Sequence, residues 1–172
     1  MRTNFCGELN ITNLNEEVIL CGWVNRRRDH GGVIFLDLRD KKGLAQIVIN
    51  PETADTFNLA ETIRNEFVIK VTGKVLARDG EMINKKIPTG EIEVLADKIE
   101  ILNASKPIPF QLDSMETSEE VRLKYRYLDL RRDEMQQRLR LRSKVTHYMR
   151  DFMDKHDFLD IETPFLTKAT PE

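Results

Sequence analysis

What this sequence has little of narrows its class first. Two cysteines in 172 residues, Cys6 and Cys21, are too few for a disulfide scaffold or a cysteine-ligated zinc site. The three histidines, His30, His147 and His156, have no metal-ligating spacing. No apolar run approaches the roughly 20 residues that span a bilayer. The opening MRTNFCGELN lacks the apolar core of an export signal. A cytosolic chain with reduced thiols and no bound metal is expected. No glycine-rich phosphate loop of the Walker or dinucleotide type occurs, and no Ser–His–Asp arrangement suggests itself. Chemistry carried out by these residues alone is therefore not expected.

What is there suits a folded, ionic surface: 40% apolar and 33% charged residues, enough Ile, Val, Leu and Phe to offset chain entropy. The net charge of −2 hides an uneven distribution. Residues 122–150 hold ten Lys/Arg against three Asp/Glu, a local excess of seven positive charges, so the remainder is strongly acidic. A smaller basic knot is Arg26-Arg27-Arg28. Both suit a polyanionic partner and equally a plainly solvated surface.

The first hundred residues read as strands with one helix among them. Val18 to Arg27 is β-rich and leads into a turn at Asp29-His30-Gly31-Gly32. Val33 to Asp40 alternates, with Ile34, Leu36 and Leu38 on one face and Phe35, Asp37 and Arg39 on the other. Leu44 to Asn50 follows as a third strand. Pro51 opens a helical stretch with Phe57, Leu59, Ala60 and Ile63 on one face. Phe67 to Ala77 is a fourth strand, in which Gly73 marks a bend or bulge. Glu91 to Leu102 is a fifth. This order matches the five-stranded OB-fold barrel, which binds oligonucleotides across its second and third strands; another small barrel or an α+β domain also fits.

Residues 103–120, broken by Pro107, Pro109 and several serines, read as a hinge. From Glu134 to His156 apolar residues recur at three and four, a long amphipathic helix with Asp133 as N-cap. Phe158 to Phe165 then reads as a short strand stopped at Pro164. A helix whose stripe has no sequence left to cover it suggests part of a longer protein.

If Ile34, Leu36 and Leu38 fill the barrel, Phe35 faces out as a platform for a base, worth roughly 1–3 kcal/mol per stacked base. By the same alternation Gln46 and Glu93 project outward, one offering a donor and an acceptor, the other accepting from base amino or imino groups. Arg28 can bridge a base or a phosphate with its planar fork. Each alone fits a solvated surface; on one face they suit a reader of unpaired nucleic acid.

The stretch Gly22-Trp23-Val24-Asn25-Arg26-Arg27-Arg28-Asp29-His30-Gly31-Gly32, followed by Phe35-Leu36-Asp37-Leu38-Arg39-Asp40, resembles the N-terminal domain of bacterial aspartyl-tRNA synthetases, which are class II aminoacyl-tRNA synthetases. Thr89 to Val94 and Arg122 to Arg132 look like the same family. Phe158 to Pro164 with Thr170-Pro171-Glu172 resembles its motif 1 and the segment after it. The resemblance implies a mainly β fold with α. An OB-fold anticodon-binding barrel spans 1–102 and a hinge 103–120, and at 121–172 the first long helix and strand open an α+β catalytic domain. It implies that Phe35 stacks on a base, Gln46 reads the middle base, Arg28 and Glu93 recognise the first, and Arg78 and Asn84 lie near the third. His30 and Met82 would bear on discrimination there, and this loop pair is expected to lean toward relaxed reading. Pro164 would belong to a homodimer interface, and Glu172 would contact the α-amino group of L-aspartate. Implied partners are tRNA(Asp), with tRNA(Asn) where reading is relaxed. ATP and Mg2+ would serve the whole enzyme and be bound elsewhere in it. A stand-alone OB module binding single strands is the alternative that the motif 1 helix speaks against.

Overall fold

The structure, a computed structural model, describes residues 1–114, 116–166 and 168–169. The chain divides into two compact units, Met1–Ile108 and Pro109–Glu172, described separately.

The first unit is a closed barrel of five strands: β1 Glu17–His30, β2 Val33–Arg39, β3 Leu44–Ile49, β4 Val68–Ala77 and β5 Ile92–Asn103. They pair in the ring order β1-β2-β3-β5-β4, closed by β4 against β1, with only the β3–β5 pair parallel. Closure leaves no edge open for another chain to extend. Alternation does the rest. Ile34, Leu36 and Leu38 of β2 are fully buried, as are Ile47 and Ile49 of β3 and Ile69 and Val71 of β4. Helix α1, Ala54–Thr62, adds Ala60, and Ile63 follows into the same core.

Local chemistry explains the departures from the sequence reading. β1 runs three residues past Arg27, because Gly31 and Gly32, at φ 60° and 87°, make the whole turn as a two-residue hairpin loop. Pro51 does not open α1: residues 51–53 form a turn and the helix starts at Ala54. Gly73 is a bulge as expected, with a register shift between Thr72 and Gly73. A Cβ there would lie 2.2 Å from the Leu95 carbonyl oxygen, so only glycine lets β5 come this close.

A second bulge, at Asn25, was not foreseen: the β1–β2 register shifts between Val24 and Arg26. It is pinned by Arg39, whose Nη1 donates to Asn25 Oδ1 at 2.6 Å and whose Nη2 donates to both carboxylate oxygens of buried Glu66 at 2.9 Å. Glu66 sits at φ 66°, and its own N–H bonds the Val24 carbonyl at 2.7 Å. Beyond the bulge, Arg26 stands opposite Asp37 and Arg28 opposite Phe35 on the outer face, while Arg27 stands opposite core-facing Leu36. Arg27 turns to other work, donating from Nε to the Ala60 carbonyl at 3.4 Å and pairing with Asp29 at 3.5 Å.

The second unit is helical: α2 Glu119–Lys124, α3 Arg126–Asp129 and α4 Asp133–Asp154. The short helices were not anticipated. Ser118, read as part of a hinge, accepts from the Val121 N–H and caps α2. Asp129, fully buried, gathers Arg122, Arg126 and Arg132 around its carboxylate. Arg132 also donates to the Ser114 carbonyl at 3.0 Å. The long helix arrives as expected but begins at Asp133. Its N-cap is Arg132 rather than Asp133, with no side-chain cap bond, because a guanidinium only donates and cannot accept from the first N–H groups of the helix. Phe158 to Phe165 is not a strand: among the described residues nothing pairs with it, and an extended segment without a ladder partner is not a strand.

Candidate nucleic-acid interface

The outer faces of β1, β2, β3 and β5 bring together most of the side chains singled out above. Pairing sets them in rows: Arg28 opposite Phe35, Phe35 opposite Val48, and Asp37 opposite Gln46. The parallel β3–β5 pair sets Ile47 beside Val94, so Gln46 and Glu93, one residue earlier on each strand, share the outer side.

These groups form one chain of hydrogen bonds. Arg28 Nη2 donates to Asp37 Oδ1 at 2.5 Å and, more weakly, to Gln46 Oε1 at 3.4 Å. The Gln46 Nε2 donates to Glu93 Oε2 at 3.1 Å. Both ends of the Gln46 amide are thereby spoken for, which sets its orientation. Gln46 is only 9% exposed, so the outward projection expected of it is real but enclosed by its neighbours. Phe35 is half-buried rather than open, and the edge of His30 meets its ring at 6.1 Å between centroids.

Arg78, expected near a loop, is anchored: its Nε donates to the Ile92 carbonyl at 2.8 Å and it is 9% exposed. Burial lowers its guanidinium from the usual value, against the attraction of Glu93 and Asp37. Burial likewise raises the Glu93 carboxyl, against the pull of Arg78 and the bond from Gln46. Two donors on this face, Arg28 Nε and Arg78 Nη2, are buried and have no partner.

The charges of Arg28 and Arg78 cancel those of Asp37 and Glu93. A neutral set of directed donors and acceptors beside an aromatic ring suits base edges better than phosphates.

Asn84 and Met82 lie in the segment joining β4 to β5, and both are exposed, Met82 at 72%. The contacts of Asn84 are local: its Oδ1 accepts from the Lys86 N–H at 3.0 Å, and its N–H bonds the Gly90 carbonyl at 3.1 Å. A Cβ on Gly90 would lie 1.8 Å from the Asn84 carbonyl oxygen, so this segment folds tightly back on itself. Pro164 is exposed in the second unit. Glu172 lies outside the described residues.

The sequence reading placed Asp37 on this face yet gave it no part. Its signal was there: two residues from Phe35 on the same strand, it shares the face that carries Arg28. Among the described residues no group of three or more His, Cys, Asp or Glu could hold a metal ion. None of the described helices is long and apolar enough to cross a membrane.

A closed five-stranded barrel with a row of directed donors and acceptors on its outer face, followed in sequence by a helical segment, defines an OB-fold nucleic-acid-binding protein. Residues 18–102 match the OB-fold nucleic acid binding domain family, and residues 118–172 match the class II tRNA synthetases of the D, K and N group. Over all 172 residues the chain is 70% identical to the Aspartate–tRNA(Asp/Asn) ligase of Ruthia magnifica subsp. Calyptogena magnifica, spanning 29% of that relative's length. The chain belongs to the aspartyl-tRNA synthetase family of class II. Among solved structures, asparaginyl-tRNA synthetase from Pyrococcus horikoshii superposes with a TM-score of 0.83 at 25% identity, over 95% of this chain and 38% of that one. Aspartyl tRNA synthetase from Entamoeba histolytica shares the fold, with a TM-score of 0.84 at 23% identity over 92% of this chain and 38% of that one.

Proposed function

We propose that the outer face of the barrel reads a tRNA anticodon as the N-terminal part of an aspartate–tRNA ligase. The observation that carries this reading is the Arg28–Gln46–Glu93 hydrogen-bond chain beside the half-buried Phe35. Phe35 stacks on a splayed base. Gln46, with its amide orientation set, reads the middle base; Arg28 and Glu93 recognise the first. Arg78 and Asn84 approach the third, where exposed His30 and Met82 bear on discrimination between tRNA(Asp) and tRNA(Asn). The curated relative carries both tRNAs in its name, which supports relaxed reading at the third base here too.

The whole enzyme would activate L-aspartate with ATP, releasing pyrophosphate, and then pass the aspartyl group to a terminal ribose hydroxyl of the tRNA. ATP use follows from the family. Mg2+ is the partner expected for ATP, and the rest of the enzyme would hold both. Glu172 would meet the α-amino group of aspartate. Pro164 and the apolar face of α4 would join a homodimer interface, and the setting would be the cytoplasm.

The test is titration of the 172-residue chain with an aspartate anticodon stem-loop and with copies altered at the middle base or at the third. Changing the middle base should weaken binding at least about tenfold, as expected for a lost directed base contact. Retained binding when the third base alone takes the asparagine identity supports relaxed reading; a comparable loss there refutes it. Equal binding to all loops and to unrelated single strands would show a generic single-strand binder instead.

A further inference from the structure

We propose that Asp37 is a positioning residue for anticodon selectivity, acting through Arg28 rather than by touching RNA. The inference rests on the anticodon reading above and goes beyond it by adding a residue which that reading leaves without a role.

Geometry carries the argument. The Asp37 carboxylate makes the shortest contact in the reading set, 2.5 Å to Arg28 Nη2, and the same nitrogen reaches Gln46 Oε1 at 3.4 Å. Arg28 is the more exposed member of the pair, its side chain 37% open against 24% for Asp37. A long guanidinium stem at a half-open site has many rotamers of similar energy. A charge-assisted bond to a short carboxylate on the adjacent strand selects among them. Asp37 can do this because the β1–β2 and β2–β3 registers place it opposite Arg26 on one side and Gln46 on the other. Its side chain is short, with only two rotatable bonds, so the backbone of β2 confines where its carboxylate can sit. Orientation then passes along the row: Asp37 holds Arg28, Arg28 favours the Gln46 amide with Oε1 toward it, and Nε2 is left to Glu93.

Electrostatics alone predicts a different outcome, with selectivity unchanged. Removing a carboxylate from a surface that meets a polyanion strengthens binding to every RNA alike. A positioning role instead lowers the ratio between matched and mismatched loops, whatever happens to the overall affinity.

The experiment compares the wild-type chain with Asp37→Asn, Arg28→Gln and the double variant. Each is titrated with the matched stem-loop and with loops altered at the first or the middle base, and thermal melts check folding. Asp37→Asn should keep its melting midpoint near that of the wild type, while discrimination at the first base falls roughly tenfold, the scale of one hydrogen bond to a charged group. Adding Asp37→Asn to Arg28→Gln should cause no further loss of discrimination, as for two residues acting through one contact. Asp37→Glu, which keeps the carboxylate, should retain most of the selectivity. If Asp37→Asn fails to fold, the neutral double variant carries the test against Arg28→Gln alone. Unchanged discrimination in Asp37→Asn while the wild type discriminates overturns the inference, as does a full additional loss in the double variant. A wild type that does not discriminate at all overturns the anticodon reading itself.

Discussion

The barrel and the long helix handle their apolar residues in opposite ways. Every strand of the barrel turns one face inward, and closure of the ring lets those faces cover one another, so Leu20, Ile34, Leu36 and Ile47 are sealed from water. Helix α4 has 22 residues and not one is buried. Val145, Tyr148, Met149, Phe152 and Met153 instead line an open apolar pocket. A closed sheet supplies its own covering surface, whereas a single amphipathic helix cannot. The barrel can therefore present a finished polar outer face. The helix presents half of a contact, which under the proposal above a second copy and the rest of the enzyme complete.

The sharpest way to break this contrast lies at Asp129, a fully buried carboxylate of the helical unit. Asp129 is the shared counter-charge of three arginines. Asp129→Asn leaves those guanidiniums without it, and breaking a buried pair costs about 3–5 kcal/mol. The loss should appear in the helical circular dichroism. It should not appear in the fluorescence of Trp23, the only tryptophan, which lies on β1 of the barrel. A matching loss in both signals would mean that the two units do not melt separately.

Somewhat smaller effects follow from a paired truncation. Leu36→Ala opens a cavity at a position with no exposure and should destabilise the barrel by about 3 kcal/mol, followed by Trp23 fluorescence. Met149→Ala, at a residue 65% exposed, should move stability by no more than about 0.5 kcal/mol. A cost for Met149→Ala that grows with protein concentration would show the face already covered by another copy in solution.

Legibility in the sequence followed the same division. Strand positions were readable because alternation is a local signal: Phe35, Asp37 and Arg39 fall outside and Ile34, Leu36 and Leu38 inside, as the pattern of β2 requires. Gly73 was readable because a glycine in mid-strand has few other uses. The Asn25 bulge was not, since it depends on Arg39 and Glu66, 14 and 27 residues distant from their partners in these bonds. Nor was the enclosure of Gln46, because alternation tells which face a side chain takes and not what stands beside it. Three arginines in a row looked alike in sequence. Register made them different: Arg27 serves α1, Arg28 joins the hydrogen-bonded row with Asp37 and Gln46, and Arg26 remains exposed on the outer face. The strand expected at Phe158–Phe165 failed for a related reason, since a strand exists only with a partner.

The finest contrast lies within the polar outer face, between the base contact proposed for Glu93 and its contribution to stability. Burial raises the Glu93 carboxyl above its usual range; Asp79 adds to the rise, and Arg78 and the Gln46 amide oppose it. A carboxyl with a raised native value holds its proton at pH values where the unfolded chain has released it. The native state then binds more protons, and this group's contribution to stability falls as pH climbs from the ordinary carboxylate range through the raised value. Glu93→Gln removes that titration and leaves an amide oxygen able to accept from Gln46. Relative to the variant, the wild type should lose stability as pH rises through this window, by less than about 1 kcal/mol because the group is half-exposed. At the acid end the two curves should meet. Above the window the variant should melt at or slightly above the wild-type temperature while losing first-base selectivity in the stem-loop titration. A wild type that gains on Glu93→Gln with rising pH would mean that attraction to Arg78 outweighs burial, and that the charged Glu93 stabilises the barrel.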